Sequence, residues 1–531
     1  LCGLSASMHL QPGLPQTWYW RETLPGCMGP SAWISRLIRA ISRSTASVCC
    51  FPLVVLMSAM LYSIADSVNT QKGLFMTDSE VAGWLYERAA AELPADADMG
   101  RIEKAVEAAS LASRREAVER LVQRAADACP PACPDCGGRL KAHAGRRPRR
   151  VLARCGHILF KRGYGYCAAC GRYAYPADAA LGLHARASPS PLVQEVCALE
   201  ALAAPACRKA RDARRLTGLD IAPSVMHREA RRQGEAARAL RDRDAELAQT
   251  PEGLAALAAS AAPGLPDSPF TLVIEIDAWN IRERDAWGLT GELAKKGEKP
   301  ERWHWVYTGT VFRLDQRGAT ASGRPVISER GYVATRKGLD AFKRQLYAEA
   351  VRRGLFQAAH VLILADGAVW IWNIADDRFK GAAQRVDLYH VEEHLWALAA
   401  DLHGKGTQAA REWAQPYIDW LTDRKDGALD VLRGLEGLRD AAQPLTTQQR
   451  EALEREIGYF DTHKNRMDYK SAKAHGQPAG SGAIESTCSQ YQRRFKLTGQ
   501  FWSLEGDEAF LALETLHRNE RWHLLFPHDK E

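Results

Sequence analysis

The sequence lacks internal repeats and long low-complexity segments, so neither a repeat array nor a polar disordered chain accounts for its 531 residues. It also lacks a strong excess of one charge, because 71 Lys and Arg against 64 Asp and Glu leave a net charge of +7. Such a charge is compatible with a polyanionic partner but identifies none. With 46% hydrophobic and 25% charged residues, the composition is typical of a folded chain of several domains.

Basic residues clearly outnumber acidic ones in two segments. Residues 141–154 (KAHAGRRPRRVLAR) carry six Lys or Arg side chains and no acid. Residues 205–244 carry eleven Lys or Arg against six Asp or Glu. Because the basic charge is concentrated in these two segments, we expect DNA to bind there.

Long apolar runs are rare, and the clearest one lies near the start of the sequence. Residues 48–65 (VCCFPLVVLMSAMLYSIA) are apolar and follow several arginines. The expected interpretation is that residues 1–75 are translated upstream sequence and that the natural start is Met76. A membrane anchor of about 18 residues and an ordinary leader are the two alternatives.

Four of the thirteen cysteines form two CxxC pairs, which is the strongest local signal in the sequence. Cys133 and Cys136 lie in CPDCGG, and Cys167 and Cys170 lie in CAACGR. Glycine beside each pair allows backbone amides to face the sulfurs, so the pattern predicts a structural zinc ribbon. A hairpin with basic strands would fill the spacing. A redox role is the alternative, and the spare candidate ligands are Cys129, Cys155 and His157.

Carboxylates at the ends of apolar segments form the second constellation. Asp277 ends the predicted strand FTLVIEID, and Asp366 ends the predicted strand HVLILAD. Carboxylates there are costly unless a cation meets them. Each acid has an alternative interpretation. Glu275 could be the ligand instead of Asp277, and Asp366-Gly367 is also a hairpin-turn signal. Glu485 opens a predicted helix over 483–497, where an acid is also favoured by the helix dipole.

Further segments predict a mixed α/β sheet followed by helices. HWVYTGTVFRL and GYVATR are predicted strands, a helix is predicted around 338–353, and residues 391–465 are expected to be largely helical. If the strands of Asp277 and Asp366 are neighbours, both aspartates and Glu485 could hold two Mg²⁺ (or Mn²⁺) ions for phosphoryl transfer.

Basic side chains beside these elements are candidate DNA contacts. A helix, a break at Thr217-Gly218 and a second helix near Pro223 predict a helix-turn-helix, with a solvated helical hairpin as the alternative. The second helix would offer His227, Arg228, Arg231 and Arg232 to a DNA groove. After Glu485, the expected phosphate contacts are Arg493, Arg494 and Lys496. Phe501 and Trp502 could stack on a displaced base, although core packing is the commoner role of tryptophan.

With these residues in place, the segment from about residue 130 to 520 resembles bacterial insertion-sequence DDE transposases of the ISKra type, in the Mutator-like superfamily. The resemblance rests on the CxxC pairs and on these five segments: LVIEIDAWN, LILADGAVWIWN, RVDLYHVEEHL, YFDTHKNRMDY and GQPAGSGAIESTCSQYQRRFKLTGQFW.

The resemblance implies an RNase H-like catalytic core with a mainly helical insertion, and a catalytic triad of Asp277, Asp366 and Glu485. It also implies a supporting pair, Asp387 and His390, for which a buried Asp–His contact is the structural alternative. The family would be expected to have Gly and a small residue where this sequence has Ala278 and Trp279, so Trp279 is expected to crowd the first strand.

An activity follows from the resemblance: binding of the element's terminal repeats, then Mg²⁺-dependent strand cleavage and strand transfer. The expected partners are element-end and target DNA and further copies of the chain, with Zn²⁺ as second metal, no membrane partner and a location in the bacterial nucleoid of the cytoplasm. Two other classes remain open, namely a catalytically inactive or recruited transposase-derived DNA-binding protein, and an RNase H-fold nuclease or resolvase that cuts without joining.

The expected organisation is multidomain. Its parts are a leader (1–75), a helical N-terminal region (76–128), a zinc ribbon (129–176), a helical, helix-turn-helix-like DNA-binding region (187–259), the first part of an α/β core (270–400), a helical insertion (401–465) and the C-terminal part of the core (466–525).

Overall fold

A computed structural model describes residues 78–184, 188–215, 219–261, 264–284, 289–298, 302–441 and 445–527. Residues 98–531 form one compact unit, and the helix α1 (Asp78–Ala90) belongs to another. The predicted leader, the apolar run at 48–65 and Met76 lie outside the described residues.

The first part of the compact unit combines one long helix with small antiparallel sheets. Helix α2 begins where the Asp98 carboxylate accepts a hydrogen bond from the Arg101 amide, which satisfies a free amide of the first turn. Strands β2 and β3 form the hairpin that was predicted between the CxxC pairs, and β1, β4 and β5 form a second sheet. The elements are α2 (Met99–Ala128), β1 (Lys141–Ala142), β2 (Arg147–Ala153), β3 (Gly156–Arg162), β4 (Gly165–Cys167), β5 (Arg172–Ala174) and α3 (Pro176–Ala180).

Four helices follow: α4 (Pro191–Ala203), α5 (Cys207–Arg215), α6 (Pro223–Leu247) and α7 (Pro251–Ala261). The two helices of the predicted helix-turn-helix are therefore present, while Thr217-Gly218 lies outside the described residues. Helix α6 is much longer than a recognition helix needs to be, and it is part of the core. At Gly234, a methyl group would lie 2.4 Å from the Ala509 carbonyl oxygen, so the two backbones are in close contact.

A mixed five-stranded sheet forms the centre of the protein. Its strand order is β10-β7-β6-β11-β12, with antiparallel pairing among β10, β7 and β6 and parallel pairing from β6 to β11 and β12. The new elements are β6 (Thr271–Glu283), α8 (Thr290–Lys295), β7 (Arg302–Arg313), β8 (Arg317–Ala319), β9 (Pro325–Ile327), β10 (Gly331–Thr335), α9 (Leu339–Arg352), β11 (His360–Ala365), α10 (Val369–Arg378) and β12 (Ala383–Val386).

Helices make up most of the remaining chain. They are α11 (Leu388–His403), α12 (Gln408–Asp423), α13 (Gly427–Asp440), α14 (Thr447–His463), α15 (Tyr469–Ala474), α16 (Gly482–Phe495) and α17 (Leu504–Arg518). The largely helical character expected of residues 391–465 is thus confirmed.

The two faces of strand β6 bury different hydrophobic cores, because successive side chains of a strand point to opposite faces. Leu272, Ile274 and Ile276 belong to the core that includes helices α9, α10 and α11. Trp279 and Ile281 belong to the core that includes α16 and α17. Period-two alternation in one strand therefore positions helices on both sides of the sheet.

The predicted strands and the helix at 482–495 are confirmed, and the structure adds two features. Strand β6 continues to Glu283, and β12 was not predicted because its four residues, AQRV, carry only one large aliphatic side chain. Trp279 does not obstruct the strand: it is 4% exposed, and its indole nitrogen donates to the Thr308 hydroxyl at 3.0 Å. The large side chain therefore fills the space between the sheet and α16.

Candidate functional site

The four predicted cysteines converge on one point. All four sulfur atoms lie within 4.8 Å of one another, with 3.9 Å between Cys133 and Cys170 and 3.5 Å between Cys136 and Cys167. All four are free thiols, not disulfides. Four thiolates at these separations could hold one tetrahedral Zn²⁺.

Two matching glycine turns produce this convergence. Gly137 and Gly171, each directly after the second cysteine of its pair, have φ angles of 72° and 66°, a region that favours glycine. In the second turn, the Cys170 amide approaches the Cys167 sulfur at 3.4 Å. This amide lowers the pKa of the Cys167 thiol to about 7, which favours the metal-binding thiolate.

The spare candidate ligands stay outside the cluster. Cys155 is buried in the core between α2 and the β2–β3 hairpin, and Cys129 contacts the same core. Among the described residues, the four cysteines are the one group of three or more His, Cys, Asp or Glu side chains arranged closely enough to hold an ion. The structure therefore selects the ligand set that the CxxC spacing predicted.

Strand register places three aspartates at one edge of the central sheet. Leu364 pairs with Glu275, so continuing this parallel register by two residues puts Asp366 beside Asp277. On the next strand Ala365 pairs with Val386, which puts Asp387 beside Asp366. Because all three strands run in the same direction, Asp366 and Asp387 follow the carboxyl ends of β11 and β12, and Asp277 lies level with them on β6, which continues to Glu283. Helix α10 follows Asp366 shortly after, so Asp366-Gly367 does not form a hairpin turn.

Glu275 and Asp277 have different roles, which separates the two candidate ligands. Glu275 is 1% exposed, and its carboxylate accepts a hydrogen bond from the Ile484 amide at 2.8 Å. Burial raises its pKa to about 8. The side chain therefore anchors the first turn of α16, while Asp277, closer to the strand end, remains partly exposed.

Asp277 lies beside a second carboxylate, Asp366, and its negative charge is only partly balanced by His390. Burial, and then the negative charge of Asp366, raise the pKa of Asp277 above its usual range, although hydrogen bonds from the Ala278 amide and from Cys488 oppose the change. The Ala278 amide donates at 2.6 Å. A carboxylate whose pKa is raised by burial and by a neighbouring carboxylate is stabilised in its charged form when a cation binds beside it.

Helix α16 brings Glu485 to the same edge. The Asp387 carboxylate accepts hydrogen bonds from both the amide and the hydroxyl of Ser481, the residue before the helix, with 2.8 Å to the amide. Glu485 lies in the first turn and is exposed, and one of its oxygens is 3.4 Å from the Ser481 hydroxyl. Its negative charge acts on the Cys488 thiol, which hydrogen-bonds to Asp277. Its position fits both a metal ligand and an acid favoured by the helix dipole.

The three carboxylates share one edge but do not form a compact ligand cluster like that of the cysteines. Asp277 and Asp366 influence one another electrostatically, whereas Glu485 is connected to them through Ser481, Asp387 and Cys488.

Asp387 and His390 do not form the buried Asp–His pair that was the structural alternative. Asp387 is fully buried and accepts from Ser481 and, at 2.7 Å, from the Tyr389 amide. His390 instead hydrogen-bonds Glu393 at 3.1 Å. Burial alone would lower the pKa of His390, but this contact and the charges of Asp387 and Asp366 outweigh it, so the pKa is raised.

A polar group beside Gly367 was not singled out from the sequence. His394 hydrogen-bonds the buried Glu456 at 2.6 Å and stacks on Tyr459 with 3.7 Å between ring centroids. The Tyr459 hydroxyl and His463 lie next to Gly367, where a methyl group would be 3.6 and 3.7 Å from them. The segment YFDTHKNRMDY was noted as a family landmark, but spacing alone gave no sign that it reaches the acids.

The predicted DNA contacts on α6 are largely engaged within the protein. Arg231 pairs with Glu235 at 3.2 Å and with Glu505 at 2.5 Å, and Arg232 pairs with the buried Glu229 at 2.9 Å. Arg228 is 59% exposed and lies 3.8 Å from Glu229. Arg228 is therefore the most accessible of these three arginines.

The predicted contacts after Glu485 also differ from one another. Arg493 and Lys496 are exposed. Arg494 donates to the Ala201 carbonyl oxygen at 2.9 and 2.6 Å and packs over the buried Trp502, 5.2 Å from the ring centroid. Arg494 and Trp502 thus stabilise the fold, which leaves Arg493 and Lys496 for a ligand.

Within the described part of the chain, no helix has the length and apolar character needed to cross a membrane. Compared with known proteins, the sequence matches no family model and no curated protein.

Proposed function

We propose that this protein is a metal-dependent enzyme of DNA strand cleavage and joining, built on an RNase H-like core. More particularly, we propose that it is a transposase of the ISKra type that acts on the ends of its own insertion sequence. The observation that carries the proposal is the placement of Asp277 and Asp366 side by side on adjacent parallel strands, at the point where β11 ends, with helix α16 and Glu485 held against them.

The sheet topology supports this fold assignment. Three strands in antiparallel sequence (β6, β7 and β10) are followed by two parallel strands (β11 and β12) on the other side of β6, with helices between them. Helices α12 to α14 lie in the chain between the strand of Asp366 and the helix of Glu485, where the family resemblance implies a helical insertion.

The donor set fits hard divalent cations in its chemistry. Asp277, Asp366 and Glu485 supply carboxylate oxygens, the ligands that Mg²⁺ and Mn²⁺ prefer, and burial together with the charge of Asp366 raises the pKa of Asp277. When bound, such ions would activate the attacking oxygen and neutralise charge on the transferring phosphoryl group.

The chain's own residues hold this edge in place. Glu275 binds the Ile484 amide and Asp387 binds Ser481, so two buried carboxylates orient the start of the helix that carries Glu485. His390 is half-buried and has a raised pKa, and it interacts electrostatically with Asp277 and Asp366, so it would support the site.

Zinc and basic residues supply the proposed DNA-binding parts. The four-cysteine ribbon carries the acid-free segment 141–154, whose arginines Arg147 and Arg150 are on the surface of the β2–β3 hairpin. With Arg228, Arg493 and Lys496 they form the positive charge available for phosphate contacts.

Strand cleavage and joining on DNA that bears the repeats flanking the gene tests the proposal. With Mg²⁺, the wild-type chain should cut and join these ends, while Glu485→Gln should bind them and not cut. The control Glu454→Gln removes the same charge from the exposed surface of α14 and should behave as wild type.

Each other outcome selects another class. Cutting without joining would favour the nuclease or resolvase. Binding without cutting by the wild type would favour the inactive or recruited DNA-binding protein. Equal cutting by wild type and Glu485→Gln would show that Glu485 is only a helix-start acid.

A further inference from the structure

Two exposed tryptophans lie on a part of the central sheet that extends beyond its neighbours. Strand β11 pairs with β6 only as far as Glu275, and β10 pairs with β7 from Tyr307 onward. Beyond these points β6 and β7 continue as an antiparallel hairpin, with the register pairs Asn280–Trp305 and Arg282–Trp303. At the end of β6, the backbone of Trp502 joins this hairpin through a bridge to Glu283.

The two faces of this hairpin have opposite environments. Trp279, Ile281 and Val306 are buried against α16 and α17 on one face. On the other face, Trp303 is 56% exposed and Trp305 is 55% exposed. Large exposed aromatic side chains that lie together are unusual on a monomer surface and commonly mark a binding site.

Two basic side chains lie beside the ring of Trp303. The Arg282 guanidinium lies 5.5 Å from the centroid of Trp303, and the Lys496 ammonium lies 5.6 Å from it. Arg282 and Arg284 also lie over the Phe501 ring, at 4.5 and 4.0 Å. These cation–π contacts keep the basic groups close to the aromatic rings.

We propose that Trp303 and Trp305, with Arg282 and Lys496 beside them, bind single-stranded DNA by stacking on unpaired bases and contacting the adjoining phosphates. The four residues are called the tryptophan surface below. Trp303 and Trp305 are two residues apart on one face, so their rings are separated by about 7 Å along the strand and can take successive bases. A paired base offers no free face for such stacking, whereas basic charge alone would bind a duplex equally well.

The position of the surface connects it to the candidate active site. The hairpin is the direct continuation of the strand that carries Asp277, and Lys496 follows the last turn of α16, the helix that carries Glu485. The inference deepens the proposed function and in that respect rests on it: cutting at the acids produces unpaired strand ends, and the tryptophan surface lies where such an end can be held.

The test measures binding separately from cleavage. The full zinc-loaded chain is titrated into fluorescein-labelled oligo-dT of about 20 nucleotides, which is longer than the site of one single-strand-binding fold. EDTA is present, at a concentration and for a time that leave the zinc bound to the protein. A duplex of the same length is titrated in parallel, and binding is followed by fluorescence anisotropy. The variant is Trp303→Ala/Trp305→Ala. The matched control is Trp396→Ala, which removes another exposed tryptophan from α11.

The double variant should bind oligo-dT at least about tenfold more weakly, while its duplex affinity and zinc content stay as in the wild type and Trp396→Ala changes neither. An unchanged affinity for oligo-dT overturns the proposal. So does an equal loss of oligo-dT and duplex binding, or a wild-type chain that binds no oligo-dT. Unchanged oligo-dT binding with a lower oligomeric state by sedimentation would instead assign the surface to a contact between copies.

Failure of the proposed function has a different signature. If the wild type neither cuts nor joins its ends but the double variant still loses oligo-dT binding, the transposase proposal fails and the tryptophan surface remains a single-strand-binding site.

Discussion

The four-cysteine cluster and the three-carboxylate edge are both candidate metal sites, yet the chain builds them in different ways. The cysteine sulfurs lie within 4.8 Å of one another. The carboxylates share a sheet edge without such convergence, and Glu485 reaches Asp277 only through Ser481, Asp387 and Cys488. The first is a closed arrangement typical of structural zinc, and the second has the exposed side chain that a site open to substrate needs.

The difference follows from the distance along the chain over which each site is built. Each CxxC turn fixes two sulfurs with one glycine of positive φ, so only two short segments must meet. The carboxylates come from two strands and one helix, and they meet through sheet register and through two buried acids, Glu275 and Asp387. Substitutions should therefore affect the two sites independently.

The largest effect is expected at the cysteines. Cys167→Ser should abolish stoichiometric zinc binding and unfold the ribbon, because structural zinc contributes on the order of 10 kcal/mol to small domains. Zinc content by elemental analysis and limited proteolysis around residues 129–176 measure this. Cys129→Ser, outside the cluster, should keep its zinc. A zinc-loaded Cys167→Ser would show that another side chain is the fourth ligand.

At the carboxylate edge, the sharpest comparison is between two neighbouring acids. Asp277→Asn should reduce strand cleavage by on the order of a hundredfold or more, because it would remove a ligand of the proposed metal site. Glu275→Gln should retain most of the cleavage, because its amide oxygen can still accept from the Ile484 amide. Single-turnover cleavage rates measure both. If the two variants lose activity in the reverse order, Glu275 is the ligand.

A third group of acids differs from both candidate metal sites because an arginine side chain already lies against it. Asp507 and Glu283 are fully buried, and both contact the Arg336 guanidinium. Burial, and then the hydrogen bond and charge of Glu283, raise the pKa of Asp507 to about 9.

Between the usual pKa of Asp and its raised value in the native protein, Asp507 therefore keeps a proton that the unfolded chain has released. The contribution of Asp507 to stability is greatest below about pH 4, the usual pKa of Asp, and falls as the pH rises toward about 9. Asp507→Asn should reduce the slope of stability against pH by at most the contribution of one bound proton. Zinc content and cleavage should stay unchanged. Urea unfolding at several pH values measures the slope, and an equally steep decline in the variant would contradict the assignment.

Much of the local structure could be predicted from the sequence. The strands that lead into Asp277 and Asp366, the helix at Glu485 and the four-cysteine cluster follow from hydrophobic alternation, turn residues and CxxC spacing. Strand β12 escaped prediction because four residues with one large aliphatic side chain give no period. The side-chain assignments on α6 also escaped prediction, because an arginine that pairs with Glu505, far along the chain, looks the same in sequence as an exposed one.

By itself, the sequence determined which residues can be zinc ligands and which acids follow the apolar segments of buried strands, since both depend on local spacing. Only the tertiary structure decided that Glu275 anchors a helix while Asp277 stays partly exposed, that Asp387 binds Ser481 rather than His390, and that Trp502 is buried while Trp303 and Trp305 are not. These outcomes depend on which element covers each face of a strand, and segments distant in the chain supply that cover.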